Sequence, residues 1–318
     1  MRLRIWSVVV GLIVFVAAAW PNAQQSSPVQ GYLNYDASLS QGWAVRDYLK
    51  STNAPMPLWN SAKQKLLDGK QIFSHTIEHL NAEDYCASAP HYDYIFFEMQ
   101  HSTMTWAEIE KMIAACPRAG VPVIRLPNEL EDTVQKATDI GAIGLFEPTV
   151  DTVEKAESVV RYARYPPLGR RSQGSNQAAT IWGVNGVNYR QTVNPNMLLV
   201  MMIETPTGVA NAFDIARIPG VDALLVANSD LGSFSGFAPQ SSAYEALVTR
   251  IHDSALAAGK FVGAVTTAYA QRGGVPRRTD WADFRMNYSG PSFDGWQPAT
   301  PAGGRGRGNT NPQSREPQ

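Results

Sequence analysis

The feature that most constrains this chain is a succession of eight short, β-rich apolar runs separated by stretches of helical period. The runs are QIFSHTIE (71–78), YDYIFFEMQ (92–100), VPVIRLP (121–127), AIGLFEPTV (142–150), MLLVMMIET (197–205), VDALLVANS (221–229), KFVGAVTT (260–267) and, more weakly, DFRMNYS (283–289). Most are near-continuous in apolar residues, as parallel strands buried on both faces require. The stretches 105–120, 129–141, 151–165, 205–220 and 243–260 read as helices, several of them closing on a glycine just ahead of the next run. This alternation predicts an α/β fold, a closed (β/α)8 TIM barrel rather than an open doubly wound sheet. No GxGxxG turn follows a strand, which counts against a dinucleotide-binding unit. The seventh and eighth helices are expected to be degenerate: 268–280 is rich in Gly, Pro and Arg, and no helical pattern follows Tyr288.

Composition narrows the function classes. The 27 basic and 28 acidic residues give a formal net charge of -1, which excludes a basic nucleic-acid binder. A wholly disordered chain is excluded by 8 Trp, 12 Tyr and 11 Phe, which supply ample area for a core. Only one long apolar segment exists, so a multi-span membrane protein is excluded too. That segment, 7–19, follows Arg2 and Arg4 and precedes the polar WPNAQQSS, the layout of a secretory signal peptide over 1–23. Ala17, Ala19 and Ala23 offer cleavage points, the alternative being an uncleaved anchor on a run short for a membrane span. The expectation is an exported protein, periplasmic or extracellular, with no stable membrane insertion after cleavage.

Residues 24–57 read as a polar extension whose Tyr32, Tyr35, Trp43 and Tyr48 pack on the main domain, residues 58–290 as the barrel, and residues 291–318 as a disordered tail. Cys86 and Cys116 are the two cysteines. They cannot build a zinc site alone, and the sequence leaves open a disulfide or two separately buried thiols, the commoner state of cysteine in a core.

In a barrel, polar residues that close apolar runs are the first candidates for chemistry. Here these are Glu98, Gln100 and His101 after the second run, Arg125 in the third, Glu147 in the fourth, Glu204 in the fifth and Asp230 after the sixth. A carboxylate within MMIETP is costly to bury without a cation or a donor. Two carboxylates from neighbouring strands, completed by water, make a typical oxygen-ligand site for a divalent ion. Taken singly, each residue has a plainer reading: a strand-end Glu as a salt-bridge partner, Asp230 as a helix cap, His101 as a satisfied histidine, and Arg125 as the partner of Glu98 or Glu147.

The ordered set, with its surrounding motifs, resembles the HpcH/HpaI aldolases, metal-dependent class II pyruvate aldolases of the 4-hydroxy-2-oxoheptanedioate aldolase type. The resemblance runs from about residue 58 to 290 through YDYIFFEMQHS, VPVIRLP, RYPPLGRRSQG, MMIETPTGVAN and VDALLVANSDLGS, with the RYPP loop its most specific part. It implies a barrel of the phosphoenolpyruvate/pyruvate-binding type. It further implies a divalent ion (Mg2+, Mn2+ or Co2+) on Glu204 and Asp230, which would activate a 2-oxo acid as a Lewis acid. Arg125 would hold the keto oxygen or developing enolate, and His101, oriented by Glu98, would move a proton on the substrate hydroxyl. Backbone N–H groups near Ser229 and Asp230 would receive the substrate carboxylate. The implied partners are a 2-oxo acid and an aldehyde, and a homo-oligomer is left open.

Departures from the family pattern point to an altered substrate. Glu98 stands where the family has Asp, Gln100 where it has Glu, Met202 where it has a polar Gln, and Asn228 where it has Pro. An exported carbon–carbon lyase is the leading expectation. The alternatives are a metal-enolate enzyme with another outcome (dehydratase, epimerase, citrate-lyase-like) and a non-catalytic barrel that binds an acidic metabolite.

Overall fold

The computed structural model describes residues 58–297 apart from 167, 175, 185, 240, 265–282 and 289. The signal segment, the extension, most of the tail and the expected seventh helix therefore lie outside the described residues. Each of the eight apolar runs contains a strand: β1 (Ser74–Ile77), β2 (Tyr94–Glu98), β3 (Pro122–Arg125), β4 (Gly144–Glu147), β5 (Leu198–Ile203), β6 (Ala223–Val226), β7 (Phe261–Ala264) and β8 (Phe284–Asn287). All neighbours pair in parallel, in the sequence order β1 to β8. The far edge then curls back. Ile72, just ahead of β1, forms a parallel bridge with Met286, donating its N–H to Arg285 O at 2.8 Å and accepting from Asn287 N–H at 2.9 Å.

The helices are α1 (Ser61–Leu67), α2 (Ala82–Ser88), α3 (Trp106–Ala115), α4 (Glu131–Asp139), α5 (Val153–Ala163), α6 (Gln177–Trp182), α7 (Gly186–Asn196), α8 (Pro206–Ala216), α9 (Asn228–Ser235) and α10 (Ser242–Ala257). Caps explain several starts. Thr105 and Glu108 form a capping box on α3, and Thr205 caps α8 with Pro206 at its first position. Among the described residues no helix follows β8. One boundary moves the site: the run 221–229 predicts a strand to its end, but β6 stops at Val226 and Ala227 is the N-cap of α9, which begins at Asn228. Asp230 therefore lies in the first turn of a helix.

Period-two alternation and register decide which side chains face the interior. Phe96 packs edge-on against Phe146 and against Tyr288, although β2 neighbours neither β4 nor β8 in the sheet. Such rings can meet only across the concave side. Glu98 lies on the same face as Phe96, Arg125 stands opposite Glu98, and Phe146 opposite Arg125. Val200 pairs with Phe146, which places Met202 and, by continuation, Glu204 on that face as well. Glu147, one residue out of phase, turns toward the helices.

At the amino ends of the strands a polar network ties the layers together. Asp222 accepts from Lys63 Nζ at 2.8 Å, the Leu199 N–H at 2.8 Å and Arg164 at 3.3 Å. Arg164 also donates to Asn194 O and to Gly220 O. It belongs to the RYPP segment, whose Gly169 is required by close approach: a Cβ there would lie 2.5 Å from Arg164 O. The most specific motif of the sequence thus serves the framework. Cys86 and Cys116 are joined by a disulfide with Cα atoms 5.6 Å apart, linking α2 to the end of α3, so the reading of separate thiols is set aside.

Candidate active site

The carboxyl ends of β2, β3, β5, β6 and β8 bring Glu98, Arg125, Glu204, Asp230 and Tyr288 to one end of the sheet. Arg125 and Glu98 form a buried ion pair, NH2 to Oε2 at 2.6 Å. The other Glu98 oxygen accepts the main-chain N–H groups of Gln100 (2.8 Å) and His101 (3.1 Å). Glu98 therefore holds the backbone of the His101 loop, and its carboxylate does not reach the imidazole. A guanidinium and two amides are better partners for a buried carboxylate than a solvated ring. The His101 side chain is exposed at the rim.

Tyr288 was not singled out in the sequence. Its hydroxyl donates to Glu98 Oε2 at 3.3 Å, and its ring lies 5.8 Å from the Arg125 guanidinium. Burial pushes this phenol up to about 12. Arg125 itself is buried, with Nε lacking a hydrogen-bond partner. One side of the guanidinium is thus taken by Glu98, and Nε keeps a donor unspent.

Glu204 follows β5 directly and is 2% exposed. Burial raises its carboxyl to about 7, opposed by the Thr149 N–H that donates to Oε1 at 2.9 Å. The nearby Asp230 carboxylate raises it further, and the Arg125 charge lowers it. Two acids from successive βα units therefore lie close together, with Arg125 close enough to be felt. Ser229 is exposed beside Asp230 in the first turn of α9, where helix N–H groups have no intrahelical acceptor. Glu147 stands apart from this face: fully buried, raised to about 8 by burial against the pull of Lys155, whose ammonium lies 3.1 Å from Oε1. Met202 is buried and brings no polar atom to the site. Among the described residues no group of three or more His, Cys, Asp or Glu converges.

Parallel strands with acids and an arginine gathered at their carboxyl ends define the class of α/β enzymes that work from that end of the sheet. Residues 73–279 match the model of the HpcH/HpaI aldolase/citrate lyase family, and the chain belongs to that family. It is an enzyme of the carbon–carbon lyase class. The 2-keto-3-deoxy-L-rhamnonate aldolase of Salmonella gallinarum is 34% identical over 194 residues, covering 58% of this chain and 72% of that protein. The enzyme of the same name from Escherichia coli K12 is 32% identical over 188 residues, covering 57% and 69%. An HpcH/HpaI aldolase/citrate lyase family protein from Burkholderia cenocepacia superposes with a TM-score of 0.62 at 26% identity, over 72% of this chain and 92% of its own. Macrophomate synthase, at 19% identity and a TM-score of 0.61, covers 76% of this chain and 89% of its own and shares the fold alone.

Proposed function

We propose that this enzyme is a divalent-metal-dependent aldolase that cleaves a 4-hydroxy-2-oxo acid into pyruvate, or a related 2-oxo acid, and an aldehyde. The observation that carries this reading is the proximity of the Asp230 carboxylate to buried Glu204, at the carboxyl ends of successive strands and with the Arg125 charge beside them. A buried acid with a second, half-buried carboxyl close beside it favours a proton or a cation between the two. Hard oxygen donors, too few to enclose an ion, suit Mg2+, Mn2+ or Co2+ with water and substrate completing the shell. When bound, such an ion supplies Lewis-acid polarisation of the substrate carbonyl. The names of the aldolase relatives, which specify a 2-keto acid, support the substrate class.

The chain's own groups divide the remaining work. The first-turn N–H groups of α9 at Ser229 and Asp230 receive the substrate carboxylate. Arg125, held in place by Glu98, offers Nε to the oxyanion that develops at C2. His101 at the rim takes the proton from the C4 hydroxyl. The C3–C4 bond then breaks, the aldehyde leaves, and the enolate is protonated at C3 to give the 2-oxo acid. Closure of the curled sheet into a full (β/α)8 barrel is supported by the Ile72–Met286 bridge, and export by the leader-like residues 1–23 together with the Cys86–Cys116 disulfide.

The test is pyruvate release from a panel of 4-hydroxy-2-oxo acids, with and without Mg2+, Mn2+ or Co2+. Ion-dependent release from at least one member is expected, and its loss in Glu204→Gln. Folded wild-type protein that releases no 2-oxo acid from any member with any ion would end this reading.

A further inference from the structure

Lys155 occupies the first turn of α5, where the helix dipole disfavours a cation. Its ammonium is nevertheless held there: it donates to Pro148 O at 2.8 Å and Thr149 O at 3.2 Å and is ion-paired with Glu147 Oε1 at 3.1 Å, with Glu129 Oε2 farther off at 3.9 Å. Two of these belong to the backbone of the loop that leaves β4. The same loop puts Thr149 at φ 48°, a left-handed conformation that β-branched residues avoid. In that conformation its N–H reaches Glu204 Oε1 at 2.9 Å. Neighbouring contacts fasten the loop to the strand and helix that flank Glu204: Val150 N–H donates to Met202 O at 3.0 Å, Asn211 donates to Asp151 O at 2.7 Å, and Thr205 donates to Asp151 Oδ1.

We propose that Lys155, paired with Glu147 on the outer face of the sheet, is a positioning residue that holds Thr149 left-handed so that its N–H fixes the carboxylate of Glu204. Glu147 is then the buried acid that faces the half-buried lysine there, and it has no contact with substrate. A local penalty at Thr149 is retained because surrounding groups over-determine it, the pattern expected where the geometry of a functional side chain depends on it. The inference rests on the reading of Glu204 as a metal ligand. It adds a determinant of ligand geometry outside the pocket.

The experiment is calorimetric titration of the metal-free, full-length protein with Mn2+, alongside melting curves without metal. Glu147→Gln/Lys155→Met, which removes both ionisable groups together, is expected to bind Mn2+ about tenfold more weakly, the scale of losing an outer-shell partner. The Mn2+ concentration for half-maximal pyruvate release should rise by the same factor, with the rate at saturating Mn2+ nearly unchanged. Lys155→Arg should retain most of the affinity. Adding Thr149→Gly to the double variant should recover part of the loss, because glycine adopts the left-handed conformation unaided. If the double variant melts too early, Glu147→Met/Lys155→Met replaces the pair with apolar side chains of similar size and carries the same expectation. Unchanged Mn2+ affinity in a folded double variant, with Glu204→Gln binding no Mn2+, overturns the clamp and leaves the metal reading standing. Wild-type Mn2+ affinity in Glu204→Gln overturns both.

Discussion

The two ends of the sheet bury charge in opposite ways. At the amino end Asp222 sits between Lys63 and Arg164 and also accepts a backbone N–H, so opposite charges are matched and lone pairs are used. Asn60 works in the same register, with its side chain donating to Asn196 O at 2.8 Å and accepting from Lys63 N–H at 3.0 Å. At the carboxyl end two acids lie close together with no cation between them, whereas an unpartnered guanidinium Nε is common to both ends, on Arg125 and on Arg164. Burial of charge therefore does not by itself mark a site. What marks it is a mismatch that the protein alone leaves unresolved and that a cation and an anionic substrate would resolve together.

The sharpest way to break this contrast is to remove one charge from each end. Glu204→Gln should lower kcat/KM by about a thousandfold, the scale of losing a preorganised electrostatic contact in a buried site, while the metal-free protein melts no earlier than wild type. A parallel fall in melting temperature would make Glu204 a framework residue like Asp222. Asp222→Asn should do the reverse. It leaves Lys63 and Arg164 buried with a poorer partner and should cost about 3–5 kcal/mol in urea unfolding, with kcat/KM of the folded protein retained.

The mismatch also has a pH signature of definite sign. A carboxyl whose folded value is raised favours the native state while it is protonated. That stability is complete below the ordinary value of 4.5 and is lost as pH rises through about 7. Metal-free protein should thus lose about 3 kcal/mol from Glu204 across this window, and Glu147, raised to about 8, extends the decline in the same direction. Urea titrations at pH 5 and pH 8 would show it as a slope that is shallower in Glu204→Gln. Equal slopes would mean that the acids at this end do not strain the fold. The smallest effect is expected from Tyr288→Phe, which removes one donor from Glu98 and should lower kcat/KM about tenfold with little change in stability.

Much of this was legible in the sequence because it depends on patterns local to each segment. Apolar runs marked all eight strands, and the polar residues closing them included the two neighbouring acids and the arginine beside them. What escaped detection depends on tertiary context. Tyr288 closes the weakest run, and its partner Glu98 is 190 residues away. Thr149 and Lys155 each break a local preference, one in backbone angle and the other in helix polarity, so propensity argues against noticing them. α6 and α7 fall in a segment with glycines at 183 and 186 and a proline inside the second helix, which masks their periodicity. The strand reading overran β6 because Ala227, Asn228 and Ser229 continue its apolar and small character into α9.

The Cys86–Cys116 bond closes a covalent ring with a sequence separation of 30, and β2 with Glu98 and His101 lies wholly inside it. A protease that cuts once within this ring linearises it without releasing a fragment. The two pieces would migrate as one species until a reductant separates them. The strand that carries the arginine's counter-ion and the rim histidine thus stays tethered to the rest of the chain after a first cut.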